Sequence, residues 1–200
     1  FNINTAVDTL LKREFDAHRA AGTQHPIQQQ YKLDCIPATH EKIDEWRENF
    51  KGVQHHHEAT NLVITGAIDD LWVNPAGQYF VVDYKATAKK EPVTAIDQDW
   101  QISYKRQMEI YQWLLRQNGL DVSNTGYFVY CTGNTEAPGF DSRVEFDVHL
   151  IAYDGDDSWV DGKIGELHAC LQGDTVPPAG ARCDYCKYVA AVTDVSTRAT

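Results

Sequence analysis

The sequence predicts an α/β domain, and three observations predict it. Apolar residues recur at helical spacing in several stretches. Runs of strand length, rich in Val, Ile, Tyr and Phe, lie between them. No internal repeat and no linker long enough to divide the chain interrupts the 200 residues. A hydrophobic share of 42% with 11% aromatic residues is enough for one domain with a proper core. The expectation is therefore a single domain over residues 1–200.

Each element has its own signal. Residues 4–19 read as a helix, because Val7, Leu10, Leu11 and Phe15 recur at helical spacing and Gly22 offers a stop. A polar, glutamine-rich stretch at 28–30 leads to a second predicted helix at 40–50, with Ile43, Trp46 and Phe50 on one side and Gly52 just past its end. Three strands are predicted next, at 53–58, 61–72 and 78–87. The turn-prone Asn74-Pro75-Ala76-Gly77 makes a hairpin of the last two. Residues 97–118 give the strongest helix, with a stripe of Tyr104, Met108, Tyr111 and Leu115 and a closing Gly119. Strands follow at 126–131 and 144–153, then a helix at 158–171, a Pro-Pro loop and a cysteine pair. The resulting order is α-β-β-β-α-β.

Composition limits the function classes. No apolar run approaches the ~18–20 residues of a membrane span, so no membrane role is expected. No signal peptide is visible, and a chain opening on Phe1 suggests a missing upstream segment. Five cysteines, an odd number without scaffold-like spacing, argue for a reducing, cytoplasmic setting over a disulfide framework. The net charge of −11 is unlike the basic footprint of a tight nucleic-acid binder. Its distribution is uneven, however. Lys85, Lys89 and Lys90 cluster at one strand end, and Lys105, Arg106 and Arg116 lie on the following helix. Asp154, Asp156, Asp157 and Asp161 gather in the last third. Lys89, Lys90, Lys105 and Arg106 are the candidate nucleic-acid contacts on a local basic rim.

The chemistry concentrates in Gly66-Ala67-Ile68-Asp69-Asp70 and Val81-Val82-Asp83-Tyr84-Lys85. On a strand, Asp83 and Lys85 project from one face and Val82 and Tyr84 from the other. Antiparallel pairing across the hairpin would bring Asp69 close to Asp83. Two adjacent carboxylates suit Mg²⁺ or Mn²⁺, which prefer oxygen ligands, and a nearby lysine can orient an attacking water or stabilise developing charge. The plainer alternatives are exposed acids closing a strand end and an Asp83–Lys85 salt bridge. A bulge would make Asp70 the substitute ligand.

These residues resemble the PD-(D/E)XK nuclease superfamily, and more closely its RecB-like branch. There a Gly-x-Ile-Asp strand precedes an acid-x-Lys strand, and a helix carrying Gln-x-x-x-Tyr follows, here Gln107 to Tyr111. The resemblance covers roughly residues 61–131. It implies a restriction-endonuclease-like core, a central mixed sheet flanked by helices. It also implies Asp69 and Asp83 as metal ligands, Lys85 as catalytic residue, and Gln107 with Tyr111 as supports of the site. The plainer alternative for Tyr111 is packing in the helix stripe. Relatives often add a first-helix ligand. Glu14 with His18, and His40 with Asp44, each share a face at four-residue spacing, but neither pair reproduces the family motif, and that ligand stays unassigned. His55-His56-His57 reads as a solvated edge strand.

Some RecB-like nucleases, including CRISPR adaptation nucleases, hold an iron–sulfur cluster with four cysteines. Cys183-Asp184-Tyr185-Cys186 and the upstream Cys35 match three of those positions, while Cys131 and Cys170 are poorly spaced. The set is incomplete, so a cluster is not the expectation. The resemblance implies a metal-dependent deoxyribonuclease of exonuclease or DNA-processing type, acting on DNA with a helicase or other DNA-processing protein as a candidate partner. The alternative is a nuclease-like binding or structural module without catalysis.

Overall fold

The computed structural model describes residues 2–198. The chain forms two compact units, one running through Asp161 and one from Gly162 onward. The first unit holds α1 (Asn2–Ala21), α2 (Pro26–Gln30), β1 (Ile36–Pro37), α3 (Ile43–Trp46), β2 (Val53–His57), β3 (Leu62–Gly66), β4 (Asp70–Val73), β5 (Tyr79–Lys89), α4 (Ile102–Gln117), β6 (Thr125–Asn134) and β7 (Phe146–Asp154). A 3-10 turn, Asp99–Gln101, leads into α4. Then α5 (Val160–Gln172) opens at the junction, and α6 (Asp184–Arg198) closes the second unit.

Five strands form a mixed sheet in the order β1-β4-β5-β6-β7, and β2 and β3 form a separate antiparallel pair. Within the large sheet only β5 and β6 run parallel, because α4 carries the chain across between them. Alternation along the central strands sorts the side chains into two layers. Val82, Tyr84, Tyr127 and Val129 join Phe15 of α1 and Trp72 in one buried cluster. The opposite face receives α4, whose Met108 leaves no room for a side chain at Gly126. Helices thus cover both faces of the sheet.

Most predicted elements are present, with three corrections. The expected strand at 61–72 is two strands, because β3 pairs with β2 while β4 pairs with β5. In the break between them the Ile68 amide donates to the Trp46 carbonyl, 3.1 Å away, instead of to a ladder. The expected helix at 40–50 shrinks to one turn, α3. Ile43 and Trp46 are buried as expected, but Phe50 is fully exposed and so supplies no packing to extend the helix. Finally, α2, β1 and α6 are absent from the expected elements; Cys183 immediately precedes α6 and Cys186 lies in its first turn.

The hairpin between β4 and β5 follows the expectation. Asn74 Oδ1 accepts the Gln78 amide at 2.9 Å, and Gly77 takes the left-handed φ of 84° that its turn requires. Among the described residues, no helix is long and apolar enough to cross a membrane.

Candidate active site

The β4–β5 register pairs Asp70 with Val82, and therefore sets Asp69, one residue earlier, opposite Asp83. Asp69 stands at the break before β4, and its Oδ2 accepts the Tyr84 amide at 2.7 Å. That bond fixes its carboxylate against β5 on the face where Asp83 and Lys85 project. Asp83 is buried, and Lys85 Nζ lies 2.6 Å from its Oδ2 as an ion pair. Lys85 is thus the charge partner of that buried oxygen.

Lys85 is held from the other side by α4. Its Nζ donates to Gln107 Oε1 at 3.0 Å, and Gln107 Nε2 donates to the Tyr111 hydroxyl at 2.8 Å. The four-residue spacing of Gln107 and Tyr111 puts both on one helix face. Tyr111 reaches this position because Gly66 has no side chain: a Cβ there would stand 2.7 Å from the tyrosine ring. The glycine two residues before Ile68 is thus a packing requirement of α4 against β3. All five expected site residues, Asp69, Asp83, Lys85, Gln107 and Tyr111, are brought into one connected group.

The electrostatics follow from this geometry. Burial, reinforced by the charge of Asp83, pushes the Asp69 carboxyl up to about 7. Burial also raises Asp83, against the lowering pull of Lys85. Two desolvated carboxylates facing each other form an oxygen donor set that fits a hard divalent cation. Among the described residues, no three His, Cys, Asp or Glu side chains gather into a larger metal-binding group.

Two residues on α1 escaped the sequence reading. Lys12 Nζ lies 3.0 Å from Asp8 Oδ1 and 3.9 Å from Asp69 Oδ1, which places the Asp8–Lys12 pair at the rim of the acids. The charge of Asp8 contributes to the upward shifts of both Asp69 and Asp83. The signal was present as an acid and a lysine four apart, one step around the helix from the core stripe of Val7, Leu11 and Phe15. The first-helix pairs considered from sequence do other work. Glu14 pairs with His25 at 3.3 Å, His18 meets Thr23 at 2.9 Å, and His40 stacks on Trp46.

The remaining candidates separate. Arg106 lines an open groove of about 610 Å³ with Thr65, Gly66, Ile102, Gln107 and Tyr111. Lys89 lies 5.9 Å from the Trp100 ring centre. Lys90 is paired with Glu136 at 3.3 Å, and Lys105 covers the Tyr153 ring at 5.6 Å. Asp70 belongs to the opposite face, in ion pairs with Arg19 and Arg47. In the histidine run, His56 meets Asn61 at 2.9 Å and His57 meets Thr60 at 2.8 Å, as an edge hairpin would arrange them. Cys35 is buried beside Gln28, and burial pushes its thiol up to about 11, which opposes the thiolate form that a metal needs. Cys183 Sγ accepts the Cys186 amide at 3.4 Å at the start of α6, and this bond lowers the Cys183 pKa.

A mixed five-stranded sheet with helices on both faces defines the class: this is the restriction-endonuclease-like architecture. The family model of the PD-(D/E)XK nuclease superfamily matches residues 2–191, and the chain belongs to that superfamily. Comparison with curated proteins and with solved structures returned no match.

Proposed function

We infer that the protein is a metal-dependent deoxyribonuclease of the RecB-like type, hydrolysing phosphodiester bonds in exonucleolytic or DNA-processing reactions. The observation that carries this reading is the Asp69–Asp83 pair with Lys85 on the same face, clamped by Gln107 and Tyr111. Asp69 and Asp83 would hold Mg²⁺ or Mn²⁺, which when bound supplies positive charge for the phosphate and makes water more acidic. The chain's own residues do the rest. Lys85 has three N–H donors, of which Gln107 takes one and Asp83 another, leaving one for the substrate phosphate. It orients the attacking water and stabilises charge developing on phosphoryl oxygen. Gln107 and Tyr111 act as positioning residues that keep the ammonium from turning away. Arg106, in the groove with Gln107 and Tyr111, and Lys89, farther along β5, are two exposed cations for the DNA backbone.

The test is Mn²⁺-dependent cleavage of end-labelled single- and double-stranded DNA, comparing wild type with Lys85→Ala. Metal-dependent activity that vanishes in the variant is expected, and the labelled fragments give its polarity.

One observation favours a second reading, a nuclease-like module without catalysis. Each acid already has a lysine near it, Lys85 beside Asp83 and Lys12 beside Asp69, so internal cations partly do what a metal would do. Such a module would bind Mn²⁺ weakly and would show no response to Asp83→Ala. Measurable Mn²⁺ affinity that Asp83→Ala abolishes rules it out.

A further inference from the structure

Trp100 is 53% exposed, yet it sits on a turn held by side-chain hydrogen bonds. Gln98 and Gln101 cap each other across that turn: the Gln98 amide donates to Gln101 Oε1 at 2.9 Å, and Gln101 is buried. Ser103 Oγ donates to the Trp100 carbonyl at 3.2 Å. A large ring held outward on a fixed support gains nothing from core burial. Its neighbours point to a ligand. The Tyr104 ring stands edge-on to Trp100, with centres 5.5 Å apart at 81°. Lys85 Nζ lies 4.5 Å from the centre of that same Tyr104 ring, and Lys89 Nζ lies 5.9 Å from the Trp100 ring centre.

Lysine, tyrosine, tryptophan and lysine therefore form a continuous path from the reacting centre outward past the end of β5. Lys85 and Lys89 are four residues apart on one strand, roughly 13 Å. They are too distant to share one phosphate and suitably spaced for phosphates two apart, on either side of one between them. An exposed indole between two such cations is the arrangement that binds single-stranded nucleic acid: the ring stacks on a base while the cations follow the backbone. A paired base inside a duplex has both faces covered and cannot use it.

We propose that Trp100, braced by Tyr104 and flanked by Lys89, is a base-stacking subsite that takes the unpaired nucleotide next to the phosphate at Lys85. The substrate of this site is then single-stranded DNA or a frayed terminus. This rests on the nuclease reading for the position of the phosphate, and its test does not depend on cleavage. Fluorescence anisotropy with labelled oligothymidylate, in EDTA, measures binding alone, and a blunt hairpin duplex serves as the second probe. Trp100→Ala is expected to weaken oligothymidylate binding roughly 5- to 100-fold, with Trp100→Phe retaining most of the affinity. The duplex affinity and the melting temperature stay at wild-type values.

An abasic nucleotide at the stacking position costs the wild type a similar factor and costs Trp100→Ala nothing more. Three results overturn the proposal: wild type that does not bind oligothymidylate, Trp100→Ala that binds it as wild type does, or an equal loss on the duplex. If instead the stacking signature holds while wild type fails to cleave with Mn²⁺, the nuclease reading fails and the subsite stands.

Discussion

Asp69 and Asp70 are neighbours in the chain, yet the fold treats their charges in opposite ways. Asp70 is wholly buried and fully answered: Arg19 and Arg47 reach its Oδ1 at 2.5 and 2.7 Å, Tyr84 donates to its Oδ2 at 2.9 Å, and the Leu71 amide adds a fourth bond. Asp16 bridges the same two arginines. Asp69, on the other face, keeps 26% of its side chain exposed, receives one amide bond, and faces a second carboxylate. A buried acid whose bonds are complete is architecture. An acid raised by burial and by a like charge stores an electrostatic demand that a cation can meet. The difference separates scaffold from candidate site without reference to either residue's type.

The comparison can be broken most forcefully at Asp70. Asp70→Ala strands two buried guanidinium groups and is expected to destabilise the fold by about 3–5 kcal/mol, read as a lowered urea midpoint. A loss under 1 kcal/mol would mean that Asp16 alone suffices and that the network is not the anchor described. On the other face the order of effects reverses. Lys85→Ala should leave the urea midpoint nearly unchanged while lowering Mn²⁺-dependent cleavage by about 10²- to 10³-fold. Comparable damage to stability would make Lys85 a structural counter-ion instead.

Gly66→Ala sharpens the contrast from a distance. Its new methyl must displace the Tyr111 ring, so a cost of about 1–3 kcal/mol is expected, together with reduced cleavage because Gln107 loses its Tyr111 partner. Normal activity in that variant would show that the Gln107–Tyr111 link does not position Lys85.

The last expected effect is a pH dependence that needs no mutation. Asp69 has a folded value of about 7 against an ordinary 3.8, so the folded state binds more protons between those values. Without metal, stability should therefore fall as pH rises from about 4 to 7. Mn²⁺ affinity should rise over the same window by up to about tenfold per pH unit, since binding needs the ionised carboxylate. Calorimetric titration of Mn²⁺ at several pH values tests the sign, and a flat profile contradicts it.

Much of this was legible in the sequence because it is local. The two-residue period of β5 placed Asp83 and Lys85 together, Asn74 to Gly77 announced the hairpin, and the four-residue spacing aligned Gln107 with Tyr111. The helix stripe left Tyr111 balanced between packing and site, and the structure gives it both: its ring lies on Gly66 and its hydroxyl serves Gln107. What stayed hidden depends on tertiary contact. Asp8 and Lys12 look like an ordinary surface pair until α1 is laid beside the acids. Gly66 shows its purpose only when α4 arrives. The break at 67–69 is invisible locally, because either half of the predicted strand has good strand composition and only the choice of partners divides it. Trp100 likewise reads as one more aromatic residue until its exposure and its cations are seen.

The parallel pairing of β5 with β6 also sets an order of assembly. Asp69 and Asp83 meet through a short hairpin, a contact that closes on a microsecond scale. Lys85 acquires Gln107 only after the whole crossover through α4 has packed, a slower, long-range event. A chain caught midway would own its two acids before its lysine is fixed, and so could capture a cation before it could use one. If so, Mn²⁺ present during refolding should speed the earliest phase and leave the recovery of cleavage activity as the last.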